Sequence, residues 1–260
     1  MINRGLAGVV LAAGSGTRLR PLTITTPKAL VPIDNRALLD LALQRLADVG
    51  LRGRRDVAVN AHHHAPQIVR HVGRRAHVAV ERPEALGTAG AIGALRRWID
   101  GRAVLVTNAD AYLTGTLDAL LDGWDRSRIR LLVVPAEDAG DFDGWCFAGA
   151  SLLPVADAAA LQPVSSGLYE VSWRAALAAG RVELVPHPGR FVDCGTPADY
   201  LLANLDASGG RSVIGRQSRV EGQLVRSVVW PRSRVRPGER LVDAVRVGEV
   251  TIDARVPSGP

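Results

Sequence analysis

The chain has one lysine, Lys28; every other residue among its 32 lysines and arginines is arginine. Cysteine is almost as scarce. Cys146 and Cys194 are too few for a disulfide framework and too far apart for a paired metal-ligand motif. No apolar run reaches the ~18 residues that a membrane span needs. The opening "MINRGLAGVVLAAG" sets Arg4 ahead of an apolar stretch, as a signal peptide would. That stretch runs only from Leu6 to Ala13 before "GSGTRLR", so it reads as a strand entering a functional loop, and the chain as a cytoplasmic protein without membrane contact. Phenylalanine and tyrosine are missing from residues 211–260, where ten arginines stand against five acids. Of the formal net charge of +6, only +1 therefore belongs to the first 210 residues. A nearly neutral main body and a tail without base-stacking rings argue against a nucleic-acid partner.

What is present has α/β texture. "AGVVLAA" (7–13), "DVAVNA" (56–61), "HVAVER" (77–82) and "AVLVTNAD" (103–110) read as strands. Helical patterns lie between them at 37–50, 65–75 and 88–99. This alternation predicts a Rossmann-like, mostly parallel sheet with helices on both faces. Ligands in such sheets collect at the carboxyl ends of the strands, where "GSGTR" and "NAD" fall. Further strands are expected at 129–135 and 145–153, separated by an acidic loop, and a helix at 196–207 with Thr196 as N-cap and Pro197 in its first turn. After "SGG" (208–210), Val, Ile or Leu recur every few residues between Gly and Pro turns, as in a short β-helix. The division expected is a catalytic domain over 1–208 and a short left-handed β-helix-like tail over 209–260. The tail contains none of the polar motifs, so the main domain is expected to form its site alone and the tail to serve subunit contacts.

Within "LAAGSGTRLRPLT", Gly14 and Gly16 let backbone N–H groups approach an anion. Ser15 and Thr17 add hydroxyls, and Arg18 adds a fork suited to phosphate oxygens. The spacing is neither a Walker A loop nor G-x-G-x-x-G. Asp110 and Asp193 each end a strand-like run; taken singly, each also reads as a turn cap or turn acceptor. "HHH" at 62–64 suggests metal binding, but three consecutive side chains do not readily converge on one ion, and no metal is expected there.

The string "GSGTRLRPLT…TPKAL", followed in order by "LGTAGAI" (86–92), "TNADAYLTG" (107–115), "GLYEV" (167–171) and "FVDCGTPADYL" (191–201), resembles the sugar-1-phosphate nucleotidyltransferases along essentially the whole chain. "LGTAGAI" is most similar to the mannose-1-phosphate guanylyltransferase branch. The resemblance implies that Leu11, Ala12, Ala13, Gly14, Ser15, Gly16 and Thr17 wrap a nucleoside triphosphate, with Arg18 on the departing phosphates and Lys28 over the reacting ones. It implies that Glu81, Gly87 and Thr88 line the base pocket, Glu170 accepts from sugar hydroxyls, and Asp110 and Asp193 hold Mg2+. Many members carry a second lysine on the sugar phosphate; this chain has none, and Arg190 is the nearest candidate in sequence.

The reaction so implied brings two polyanions together, so catalysis is charge neutralisation and positioning. Mg2+ is typically held by one or two carboxylates plus phosphates, which two aspartates satisfy. A lysine is a compact charge with three rotatable donors, whereas arginine is a planar fork, so a solitary lysine in the phosphate motif points to a chemical requirement. The expected activity is EC 2.7.7-type transfer, with GTP and a mannose-1-phosphate-like sugar favoured; Glu81 has the acceptors a guanine edge needs. Uridylyl transfer, another sugar or cyclitol phosphate, and a non-catalytic homologue sensing nucleotide sugars are the alternatives.

Overall fold

The structure, a computed structural model, describes residues 5–136 and 139–255. Met1–Arg4 of the opening stretch and Glu137 and Asp138 of the acidic loop lie outside the described residues.

The chain starts in β1 (Leu6–Leu11), a fully apolar strand broken only by Gly8. A Cβ at Gly8 would stand 2.9 Å from a Leu46 methyl, so the glycine lets a helix lie directly on the strand. After a hairpin of β2 (Pro32–Ile33) and β3 (Arg36–Ala37) comes that helix, α1 (Leu38–Asp48). The short α2 (Gly53–Asp56) leads into β4 (Val57–Ala61), α3 (Ala65–Val72) and β5 (His77–Val80). The helix expected over 88–99 is two: α4 (Gly87–Ala94) and α5 (Arg96–Ile99), separated at Leu95, whose ψ of 1° leaves the helical range. Arg96 then reaches the carbonyls of Ala159 and Leu161, which fixes the new direction.

β6 (Ala103–Asn108) and β7 (Ala111–Leu113) flank a bend at 109–110. α6 (Asp118–Leu121), β8 (Ile129–Pro135), β9 (Trp145–Leu153) and α7 (Val155–Ala160) follow. A wide helical turn over Tyr169–Trp173 continues into α8 (Arg174–Ala178), then β10 (Val182–Pro186) and β11 (Phe191–Asp193). α9 (Pro197–Ala207) is capped as expected: Thr196 Oγ1 accepts from Asp199 N at 3.2 Å, with Pro197 in the first turn.

The main sheet has the order β10-β8-β9-β6-β1-β4-β5. All its neighbours are parallel except those of β9, which runs against both β6 and β8. The expected α/β architecture is thus present. In the centre, Leu11 is level with both Asn60 and Asn108, so three strand ends form one shelf. β11 stands outside this sheet. It pairs antiparallel with β7 in a separate ribbon, Asp193 opposite Ala111.

Among the described residues, the tail has eight short strands: β12 (Val213–Ile214), β13 (Arg219–Val220), β14 (Gln223–Val225), β15 (Val228–Val229), β16 (Arg234–Val235), β17 (Arg240–Val242), β18 (Ala244–Val247) and β19 (Val250–Asp253). β12, β15 and β18 stack in parallel, as do β13 on β16 and β14 on β17, which is the β-helix-like layering the repeat implied. β19 folds back antiparallel on β18. One buried cluster joins Leu19, Leu22, Val31, Tyr200 and Leu201 to Val213, Val228, Trp230 and Val245 of the tail. The core therefore crosses residue 208.

Candidate active site

A cavity of about 480 Å³ opens at the shelf of strand ends. Leu11, Ala12, Ala13, Gly14 and Ser15 form one wall, Gly87 and Thr88 at the start of α4 another, and Lys28 and Asp110 stand at its polar end. Space beside Gly14 is open: a Cβ there would meet nothing within 4 Å. Gly16, in contrast, has φ 61°, and a Cβ would press on Thr23 and, at 3.0 Å, on Lys28 Cβ. Gly16 and Thr17 lie outside the cavity wall and shape the turn that brings Lys28 close.

Lys28 is the hub. Its side chain is 7% exposed, and Nζ donates to Asp110 Oδ2 and Asp193 Oδ1, each at 3.2 Å. Arg18 Nη2, largely exposed, reaches the other Asp193 oxygen at 3.2 Å. The two aspartates are 83 positions apart in sequence, yet one ammonium touches both. The bend after β6 delivers Asp110, and the β7–β11 ribbon delivers Asp193. Neighbouring Cys194 is fully buried, which pushes its thiol up to about 12 and keeps it neutral beside the carboxylates.

Glu81 is not part of the cavity wall. It is 5% exposed, Oε1 accepts from Asn60 Nδ2 at 2.7 Å, and Oε2 accepts from Leu86 N at 2.8 Å. Asn60 Oδ1 in turn accepts from Ala12 N at 2.6 Å. Burial and these bonds occupy both carboxylate oxygens of Glu81, which braces Asn60 against the 11–15 loop. Glu170 is exposed on the wide turn, its carboxylate folded back over Gly167, and is not part of the cavity wall. Arg190, the sequence candidate for the sugar phosphate, is on the neighbouring ribbon. It lies opposite Thr114, three positions along the ribbon from Asp193, and pairs with Asp206 of α9 at 3.2 Å. The Arg190 side chain is largely exposed, and the pair is a surface one.

Asn60, His62 and Asn108 are all in the cavity wall; sequence reasoning passed over Asn60, took Asn108 only as part of "NAD", and weighed His62 only for metal. The signal was there: Asn60 and Asn108 are polar residues ending otherwise apolar strands. His62 Nδ1 donates to the Glu81 carbonyl at 3.2 Å, and His64 Nε2 to the Ile24 carbonyl at 3.0 Å, so the histidine run is divided between separate jobs. Among the described residues, no group of three or more His, Cys, Asp and Glu is placed to hold a metal. Asp110 and Asp193 are a two-carboxylate pair of hard oxygen donors, each nearly half exposed, already bridged by one cationic group. That donor set fits a small divalent ion that completes its shell with phosphate and water.

An open, mostly parallel sheet with a glycine-containing loop after its central strand and paired carboxylates beside its strand ends defines an α/β protein with a ligand site at that edge. More narrowly, the chain belongs to the nucleotidyl transferase family, whose profile matches residues 7–139. It is 33% identical over 140 residues to the N-acetylmuramate alpha-1-phosphate uridylyltransferase of Caulobacter vibrioides, covering 49% of this chain and 57% of that one. It is 30% identical over 146 residues to the glucose-1-phosphate thymidylyltransferase of Streptomyces antibioticus, covering 53% of this chain and 40% of that one. The chain thus spans about half the length of these relatives. Over a shorter stretch of 51 residues, 20% of this chain and 14% of the other, it is 45% identical to the mannose-1-phosphate guanylyltransferase catalytic subunit beta of Drosophila melanogaster. The fold is shared with the structure of HddC from Yersinia pseudotuberculosis complexed with GMP-PN, at a TM-score of 0.62 and 21% identity, covering 77% of this chain and 99% of that one.

Proposed function

We propose that this chain joins a nucleoside triphosphate to a sugar 1-phosphate, releasing pyrophosphate, with Asp110 and Asp193 as the ligands of a Mg2+ ion. The observation that carries the reading is the convergence of Lys28 with both carboxylates at the end of a cavity walled by the 11–15 loop. A sugar-phosphate oxygen attacks the α-phosphorus in line, a bond forms there, and the bond to the bridging α–β oxygen breaks as pyrophosphate leaves. Mg2+ supplies neutralisation of the crowded phosphate oxygens. The chain's own residues do the rest. The backbone of Leu11–Ser15 wraps the triphosphate, and Arg18 draws the departing phosphates. Lys28 follows the charge that develops at the α-phosphate. Gly87 and Thr88 bound the base, with Asn60 and Glu81 bracing the loop from behind. Arg190, three positions from Asp193 and largely exposed, is the candidate cation for the sugar phosphate.

GTP with a mannose-1-phosphate-like sugar is supported by "LGTAGAI" and the Drosophila stretch, although the position of Glu81 removes one reason for preferring guanine. Uridylyl transfer is the second reading, supported by the longer match to the Caulobacter enzyme. Pyrophosphate release from a panel of GTP, UTP, dTTP and ATP against several sugar 1-phosphates decides between them. Release from no pair would overturn the enzymatic reading in favour of a nucleotide-sugar sensor.

A further inference from the structure

The core-facing row of α1 is Leu38, Leu39, Ala42, Arg45 and Leu46, an arginine where the pattern calls for an aliphatic residue. Arg45 is 4% exposed. Its Nη2 donates to Thr107 Oγ1 at 3.2 Å and to the Asn108 carbonyl at 3.0 Å, the last two residues of β6. Asp110 follows two positions later. Asn108 ends the β1–β6 ladder, and Arg45 gives its carbonyl a donor there. Nε and Nη1 are buried without a hydrogen-bond partner. Burial pulls the guanidinium down to about 10, opposed by the negative charge of Asp110, so Arg45 is charged at neutral pH.

This arrangement is expensive for the fold. Unpaired N–H groups and a charge in an apolar layer destabilise, and replacing such a group by a well-packed apolar side chain is commonly neutral or stabilising. A cation kept at that cost, and spent on the one strand end that carries Asp110, has a role beyond packing. We infer that Arg45 is a positioning residue: it pins the carboxyl end of β6 from beneath the sheet and so fixes where Asp110 presents its carboxylate. The inference rests on the proposed transfer reaction for its kinetic consequence, but its structural half is independent of it.

The test compares the full chain with Arg45→Met and Arg45→Lys. Arg45→Met is expected to melt at or above the parent temperature without metal, because it removes unpaired polar groups. In the same metal-free state, amide hydrogen exchange over 106–112 should rise about tenfold, while exchange in α1 stays as in the parent. Its kcat should fall about tenfold with KM for the nucleoside triphosphate nearly unchanged. Arg45→Lys keeps a donor for one of the two acceptors and should recover part of both the protection and the rate. Unchanged exchange over 106–112 in Arg45→Met would overturn the inference. So would a lowered melt with faster exchange throughout α1, which would mark a packing residue. If the parent releases no pyrophosphate with any substrate pair, the functional reading falls by itself, and the metal-free exchange still decides the positioning role.

Discussion

At the scale of single residues, the site turns on Lys28. Its compact ammonium fits between two carboxylates, and the absence of a side chain at Gly16 leaves room for its Cβ. A guanidinium is wider, planar and unable to swing a donor toward each oxygen from the same place. Lys28→Arg is therefore expected to lower turnover by about tenfold or more with the fold intact. Near-parental turnover would show that any cation suffices. For the carboxylates, Asp110→Asn and Asp193→Asn each remove one charge at constant volume. On the proposal that both hold one ion, the double variant should be little worse than the poorer single one. Rates measured across a Mg2+ titration check this; two fully multiplicative losses would separate the aspartates. Lys28, Asp110 and Asp193 were legible as residue types in motifs. The burial of Glu81 and the pairing of Arg190 with Asp206 were not, because both depend on neighbours distant in sequence.

At the scale of elements, the α4 side of the cavity depends on glycines at one face of that helix. Gly87, Gly90 and Gly93 let the chain over 162–168 lie against the helix backbone. A Cβ on Gly87 would come within 2.5 Å of the Ser166 carbonyl oxygen, and one on Gly90 would fall onto that of Val164. The strap is fastened by Ala89 N to the Ser166 carbonyl at 3.0 Å and Leu168 N to Thr88 Oγ1 at 2.8 Å. Gly90→Ala meets backbone that cannot rotate away, so a destabilisation of about 1–3 kcal/mol is expected. The KM for the nucleoside triphosphate should rise with it, since Gly87 and Thr88 wall the cavity. Denaturant unfolding and initial rates test the pair, and an unperturbed protein would mean the strap is free to shift. The sequence read these glycines as part of a motif; their packing partner, about 75 positions away, carries no local signal.

At the scale of the whole molecule, the tail belongs to the main core. Trp230 Nε1 donates to Tyr200 OH at 2.9 Å, and Tyr200 OH donates to the Pro32 carbonyl at 2.7 Å, which links the β-helix layers to the segment just after Lys28. Burying side chains such as Val213, Val228, Trp230 and Val245 contributes roughly 1.5–3 kcal/mol each. Domains are stable by only about 5–15 kcal/mol in total. Truncation after Ser208 is accordingly expected to abolish a cooperative melt and substrate-dependent turnover together, contrary to the sequence expectation of a self-sufficient main domain. A sharp thermal transition with retained pyrophosphate release would restore that expectation.

Strand periodicity, the Thr196–Pro197 cap signal and the order of the polar motifs determined the α/β architecture, the layered tail and which polar residues mark the candidate site. These are local properties: alternation, capping and turn chemistry act within a few residues. Tertiary structure decided which of those residues meet. The β7–β11 ribbon, outside the main sheet, brings Asp193 to Asp110; α1 sends Arg45 beneath the end of β6; and Glu81 turns inward to Asn60. Each is a contact between segments far apart in the chain, fixed by packing and by the need to pair buried polar groups, and such pairings are settled only when the whole core closes.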